Sequence, residues 1–389
     1  MSEVVNIPQL RFPEFNGGWK ESRIGKIYKD LRTGSTPSRA VKSYFKGDNP
    51  WITSGELKYN RISTTFEQIS DEAIKDTNLV LYQPGTLFIA ITGLEAPGTR
   101  GKCAINAVPS TTNQSCLAFR KVDSVDTIYM FYWYLKYGKP LYFKYAQGTK
   151  QQSFNNKIVE KFQIFLPNKP EQQKIAAFLS AVDNKIEQLS KKQELLGEYK
   201  KGLMQQIFSQ AIRFKADDGS DFPDWEEKKL RNVLSSVSTR PYQIKSADIL
   251  EFGSHKVVDQ GQKELAGYTN EKDKLLTNDG VIVYGDHTTI VKFINYDFVV
   301  GADGVKLLTS DSNNIKYLYF NLLFNNVGPE GYKRHFSILK NVVLQIPSLP
   351  EQNKIANFLS SIDSKIEQVG KQLNESKQFK KALLQQMFV

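Results

Sequence analysis

The feature that most constrains this chain is a block that occurs twice. PEQQKIAAFLSAVDNKIEQLSKK at Pro170–Lys192 returns as PEQNKIANFLSSIDSKIEQVGKQ at Pro350–Gln372, with no gap between the copies. Identities continue downstream at Lys200/Lys380, Lys201/Lys381, Leu203/Leu383, Gln205/Gln385, Gln206/Gln386 and Phe208/Phe388. Apolar residues fall at Ile175, Leu179, Val182, Ile186 and Leu189 in the first copy and at Ile355, Leu359, Ile362, Ile366 and Val369 in the second. The alternating spacing of four and three is a heptad seam, so each copy is expected to be one long helix that pairs with another. Pro170 and Pro350 sit where a helix tolerates proline, in its first turn, with Glu171 and Glu351 beside the positive helix end. About 40 residues at 1.5 Å rise would span roughly 60 Å.

A weaker echo precedes each helix. Trp19-Lys20-Glu21 compares with Trp225-Glu226-Glu227, after Phe12-Pro13-Glu14 and Phe222-Pro223-Asp224 respectively. The expected order is a globular part at 1–165, a helix at 166–212, a second globular part at 213–345 and a second helix at 346–389. Short β-prone runs such as Gly280-Val281-Ile282-Val283-Tyr284 lie between turn signals, and helical spacing appears at Ile128–Tyr137 and Ile315–Phe324. The expected fold class is therefore α+β: two unlike mixed α/β domains separated by two long antiparallel coiled-coil helices, related as a pseudo-two-fold internal repeat. Arg213–Asp221 is polar and reads as a linker.

The net charge of +11 raises the expectation of a polyanionic partner. Most of the basic excess lies in 1–165, whereas 213–345 holds 17 basic and 18 acidic residues. If nucleic acid is the partner, the second globular part must gather its basic residues on one face. Enzyme motifs fail one by one. There is no G-x-x-x-x-G-K-[ST] loop and no G-x-G-x-x-G after a strand. Asp48-Asn49-Pro50-Trp51 lacks the second proline of an amino-methyltransferase loop, and Pro223-Asp224 stands too close to Glu226-x-Lys228 for a nuclease centre. No catalytic, cofactor-binding or metal residue is assigned. Cys103 and Cys116 read as buried small hydrophobes, and no histidine has a Cys or second His at metal-ligand spacing. His287 and His335 stand where they could face DNA. The aromatic run Ile128–Tyr137 is expected in the core rather than as a stacking platform for bases.

Several loops combine hydroxyl, amide and basic residues in the manner of groove-reading segments. The candidate DNA contacts are Thr36, Ser38 and Arg39; Arg100 and Lys102; Thr149, Lys150 and Gln151; Arg240 and Tyr242; Gln260 and Lys263; His287 and Thr288; and Lys333 with Arg334.

On the doubled L/I-P-x-x-P-E-Q-x-K-I-A-x-F-L-S block at Leu166–Gln188 and Ile346–Gln368, together with Thr33–Ser38 and Pro50–Leu57, the chain resembles the specificity subunit of type I restriction-modification systems. Val257–Gly261 and Val299–Val305 are similar to strings in that family's target-recognition domains. The resemblance implies two target-recognition domains and two helices that hold two modification subunits and, through them, the restriction subunits, on double-stranded DNA. S-adenosylmethionine, ATP and Mg would belong to those partners and none to this chain. Because the domains differ, the target is expected to be bipartite and asymmetric. A solitary DNA-modifying enzyme and a coiled-coil adaptor without DNA specificity are the competing readings. The first residues carry neither a basic nor an apolar leader, and no stretch nears the roughly 20 apolar residues of a membrane span, so the expected compartment is the cytoplasm, with no membrane partner.

Overall fold

The computed structural model describes residues 6–94, 96, 98–148, 152–301, 303–331 and 333–389. Helices α1 (Thr127–Tyr145), α2 (Lys169–Phe208), α3 (Ile315–Phe324) and α4 (Leu349–Gln386) order the chain. The duplicated blocks are α2 and α4, each beginning one residue before its proline. The missing proline N–H costs a helix nothing at that place. Asn168 completes the start of α2 by accepting the Glu171 N–H on its side chain at 2.9 Å.

The chain divides into two compact units, Met1–Gln188 with Gln372–Val389, and Leu189–Lys371. The division falls inside α2 and α4, whereas the segments 166–212 and 346–389 are bounded at helix ends. The cause is burial. The start of each helix and the end of the other are packed into one globular core.

In unit 1, a five-stranded sheet runs in the order Arg32–Thr33, Cys116–Phe119, Leu87–Ala90, Cys103–Asn106, Arg61–Ile62. Leu87–Ala90 is buried on both faces, as its unbroken apolar run requires. A three-stranded sheet joins Gln68–Ile69, Asn49–Ile52 and Thr111–Thr112, and Lys20–Arg23 pairs antiparallel with Gln163–Leu166. Helix α1 is capped by Asp126, whose side chain accepts from Ile128 and Tyr129 N–H. Its aromatics Tyr129, Phe131, Tyr132, Trp133 and Tyr134 are all in the core, as their spacing indicated. Ile175 and Leu179 from the start of α2 and Leu383, Met387 and Phe388 at the end of the chain belong to the same core, with Val182 packed against it.

Unit 2 has a different sheet plan. Ser235–Val237, Val305–Thr309, Val281–Gly285 and Val291–Ile294 form an all-antiparallel sheet, and Gln243–Ile244, Val299–Gly301, His255–Val258 and Gly267–Thr269 form a mixed one. Glu226–Lys229 pairs with Val343–Ile346, the counterpart of the two-stranded sheet of unit 1. Met204, Ile207 and Phe208 from the end of α2 share a core with Ile355, Leu359 and Ile362 from the start of α4, with Ile366 packed against it.

The helix ends meet in the same way in both units. Lys380 Nζ lies 2.6 Å from Asp183 Oδ1 in unit 1, and Lys200 Nζ lies 2.6 Å from Asp363 Oδ1 in unit 2. These are equivalent residues of the two copies with their roles exchanged, the mark of antiparallel self-complementary pairing. Leu189 and Val369 are buried on the seam, while Ile186 is half-buried. The α+β class and the paired helices are as expected.

Candidate nucleic-acid interface

Each unit is attached to its helix through residues of the repeat itself. The Glu171 carboxylate, 1% exposed, accepts from Arg11 Nε at 2.7 Å, Arg11 Nη2 at 2.8 Å and Trp19 Nε1 at 3.2 Å. Glu351, 0% exposed, accepts from Arg213 Nη2 at 2.8 Å, Arg213 Nε at 3.3 Å and Trp225 Nε1 at 2.9 Å. Each arginine presents the forked donor pair that a buried carboxylate needs, and the pairing raises the pKa of both. The neighbouring glutamines act alike. Gln172 accepts from the Asp126 N–H at 2.8 Å, beside the cap of α1, and Gln352 accepts from the Asn314 N–H at 2.9 Å, beside the cap of α3. The repeated Pro-Glu-Gln is thus a joint between helix and sheet domain.

This geometry also corrects the echo read before each helix. Phe12 packs edge-on against Phe178 at 5.7 Å, and Phe214 packs against Phe358 at 5.6 Å. The equivalent pairs are Arg11-Phe12 and Arg213-Phe214, so Phe222 is not the partner of Phe12. Arg213, read as linker, is part of the joint.

On unit 1, the Thr33–Arg39 loop is anchored by Gly34, where an added Cβ would lie 1.5 Å from the Thr112 carbonyl oxygen, and by Trp51 Nε1, which donates to the Ser35 carbonyl at 3.2 Å. Thr36, Ser38 and Arg39 are exposed. Thr36 donates to Gln114. Arg39 lies over the Phe45 ring at 4.3 Å and is forked onto Glu67, with Nη2 to Oε2 at 2.7 Å. It is presented rigidly, but a base would have to compete with Glu67. Arg100 and Lys102 form a separate group. Arg100 Nε donates to the Leu94 carbonyl at 2.8 Å and its guanidinium covers Tyr142, while Lys102 covers Tyr59. Arg100 thus braces its loop. Thr149, Lys150 and Gln151 lie outside the described residues.

On unit 2, the candidates converge. Gln260 Nε2 donates to the Asp303 carbonyl at 3.0 Å, Gln260 Oε1 accepts from the His287 N–H at 3.2 Å, and Thr288 Oγ1 donates to the Gln260 carbonyl at 2.6 Å. At Gly304, φ is +85° and a Cβ would lie 2.6 Å from Gln260 Nε2, so the amide fits only because no side chain stands there. The turn of His287 and Thr288 holds Thr289 at φ 57°, an unfavourable conformation for a β-branched residue and a sign that the surroundings over-determine it. Gln260 is a hub, bonded at both ends of its amide inside the fold. His335, expected where it could face DNA, is corrected: it is buried, with Nε2 accepting from the Glu330 N–H at 3.0 Å. Lys263, Arg240 and Arg334 remain exposed, Lys333 pairs with Glu330, and Tyr242 packs on the core. Arg240 borders a hollow of about 670 Å³ lined also by Lys245, Ser246, Lys274 and Asp303. Lys245 and Lys274 lie in separate segments with no shared pattern, so the sequence did not bring them together with Arg240.

Burial pushes the Cys103 thiol up beyond the ordinary range and the Cys116 thiol up to about 12, which leaves neither as a nucleophile. Among the described residues no group of three or more His, Cys, Asp or Glu is placed to hold a metal ion. No helix among them is long and apolar enough to cross a membrane.

Known proteins are similar to this chain in sequence or in fold. The MjaVIII type I restriction enzyme specificity subunit of Methanocaldococcus jannaschii is 25% identical over 96% of this chain and 92% of its own. The MjaIX specificity subunit of the same organism is 30% identical, covering 57% of this chain and 55% of its own length. The crystal structure of the type I restriction-modification system S subunit from M. genitalium superposes over 98% of this chain and 99% of its own, with a TM-score of 0.65 at 16% identity. A chain from a structural study of complex assembly and conformational transition in the type I system superposes with a TM-score of 0.51 over 97% of this chain and 98% of its own, at 15% identity. Residues 16–196 and 223–377 each match the type I restriction modification DNA specificity domain, and the chain belongs to that family.

Proposed function

We propose that this specificity subunit reads a bipartite, asymmetric double-stranded DNA target, one half by each unit, and that α2 and α4 carry two modification subunits and, through them, the restriction subunits. The chain itself performs no catalysis; S-adenosylmethionine, ATP and Mg act on the partners. The observation that carries the reading is the attachment of two unlike sheet domains through one and the same Glu-Arg-Trp joint. Unlike faces on like mounts suit two different half-sites read within one assembly. Identity between α2 and α4 extends to exposed positions, including Lys185/Lys365, Glu187/Glu367 and Lys201/Lys381. Packing within the chain does not account for these, whereas a partner bound in two equal copies does.

The test is to exchange residues 213–345 for the corresponding part of a relative and to map the methylated sites made by the assembled complex. One half of the target should change and the other stay. A change in both halves together, or methyl transfer by this chain alone, would overturn the reading.

A further inference from the structure

Lys292 is a cation withdrawn from water and used inside the fold. It lies on the strand Val291–Ile294 with its side chain 8% exposed. Its ammonium donates to the Asp259 carbonyl at 2.8 Å and the Lys263 carbonyl at 2.6 Å, with the Asp259 carboxylate 3.6 Å away. A buried ammonium is tolerated only with such partners. Both carbonyls belong to one loop, 259–263, so the ammonium ties that loop at its two ends. Burial holds the Lys292 pKa below the usual lysine range, with Asp259 opposing the shift. Within the loop stands Gln260, the hub bonded to His287, Thr288 and Asp303.

We propose that Lys292 is a positioning residue for DNA reading by unit 2: it fixes the 259–263 loop, and Gln260 passes that position to the turn bearing His287 and Thr288. The proposal rests on the reading that unit 2 recognises a DNA half-site. Lys292 itself touches no phosphate, because its ammonium is bonded to the loop and its side chain is buried. It acts on specificity through geometry.

The experiment uses the full chain assembled with its modification subunits and duplexes altered in one half-site at a time. In Lys292→Met, discrimination against altered bases in the unit 2 half-site should fall about tenfold or more, the scale of one lost base discrimination. Discrimination in the other half and the slope of affinity against salt should stay as in the parent. Lys292→Arg, which keeps the charge and the donors, should retain more discrimination than Lys292→Met. Gln260→Ala leaves Lys292 in place and should reproduce the loss, and the double variant should be no worse than either single one. If Lys292→Met does not assemble, Gln260→Ala decides. Unchanged discrimination in Gln260→Ala, or a salt slope reduced by about one charge in Lys292→Met, would overturn the proposal. A parent complex without any sequence preference would instead overturn the DNA reading on which it stands.

Discussion

The two units use opposite means to present a surface and the same means to hold it. In unit 1, the exposed Arg39 is stacked on Phe45 and forked onto Glu67. In unit 2, the corresponding task falls to an uncharged side chain, Gln260, bonded to three neighbouring groups and backed by the buried Lys292. At the helices the difference disappears, because Glu171 and Glu351 each hold one Arg and one Trp. The faces are therefore free to differ while the mounts are not. A buried carboxylate tolerates few partners, whereas an exposed loop tolerates many.

The comparison is broken most severely at the mounts. Replacing Glu171 or Glu351 by Ala strands a partly buried guanidinium and an indole N–H, and should lower stability by about 3–5 kcal/mol. Arg11 is 13% and Arg213 25% exposed, so water relieves the loss more in unit 2 and Glu351→Ala should lie at the lower end. Urea unfolding of both variants checks the order. A cost below 1 kcal/mol at either site would mean that the joint is decoration.

A smaller effect separates the faces. Arg39→Ala should weaken binding of the unit 1 half-site by about 1–3 kcal/mol if Arg39 forks onto a guanine, and Glu67→Gln should strengthen it, since the competing carboxylate is gone. Arg240→Ala should weaken all sequences alike and reduce the salt slope by about one if it holds a phosphate. Titration of the assembled complex at several salt concentrations distinguishes the two. No change in Arg39→Ala would remove that residue from the face.

The smallest effect tests the likeness of the helix pairing. Asp183→Asn and Asp363→Asn each remove one carboxylate from a partly exposed pair, and each should cost no more than about 1 kcal/mol, less at high salt. The two costs should agree apart from the hydrogen bond that Asp183 also accepts from the Tyr132 hydroxyl at 2.8 Å. A large difference would show that the exchanged pairs are alike in position only.

The linear pattern alone determined the long helices, the place of Pro170 and Pro350 in their first turns, the heptad seam, the burial of the α1 aromatics and the family. All of these are periodic or local, and period and local sterics are written in neighbouring residues. Only the tertiary structure decided what Glu171 and Glu351 do. The sequence placed them at a positive helix end, but their partners Trp19 and Trp225 stand 152 and 126 positions away in the chain. The same holds for His335, drawn inside by Asp286 and Glu330, for Gln260, whose partners come from two distant segments, and for Lys292, which sits in the unremarkable string Val291-Lys292-Phe293-Ile294. A polar side chain in a loop has the same appearance in sequence whether it faces water or a distant carbonyl. Which of the two it meets is settled when the sheets pack and bring remote backbone within hydrogen-bond reach, where an unpaired buried group would cost too much to keep.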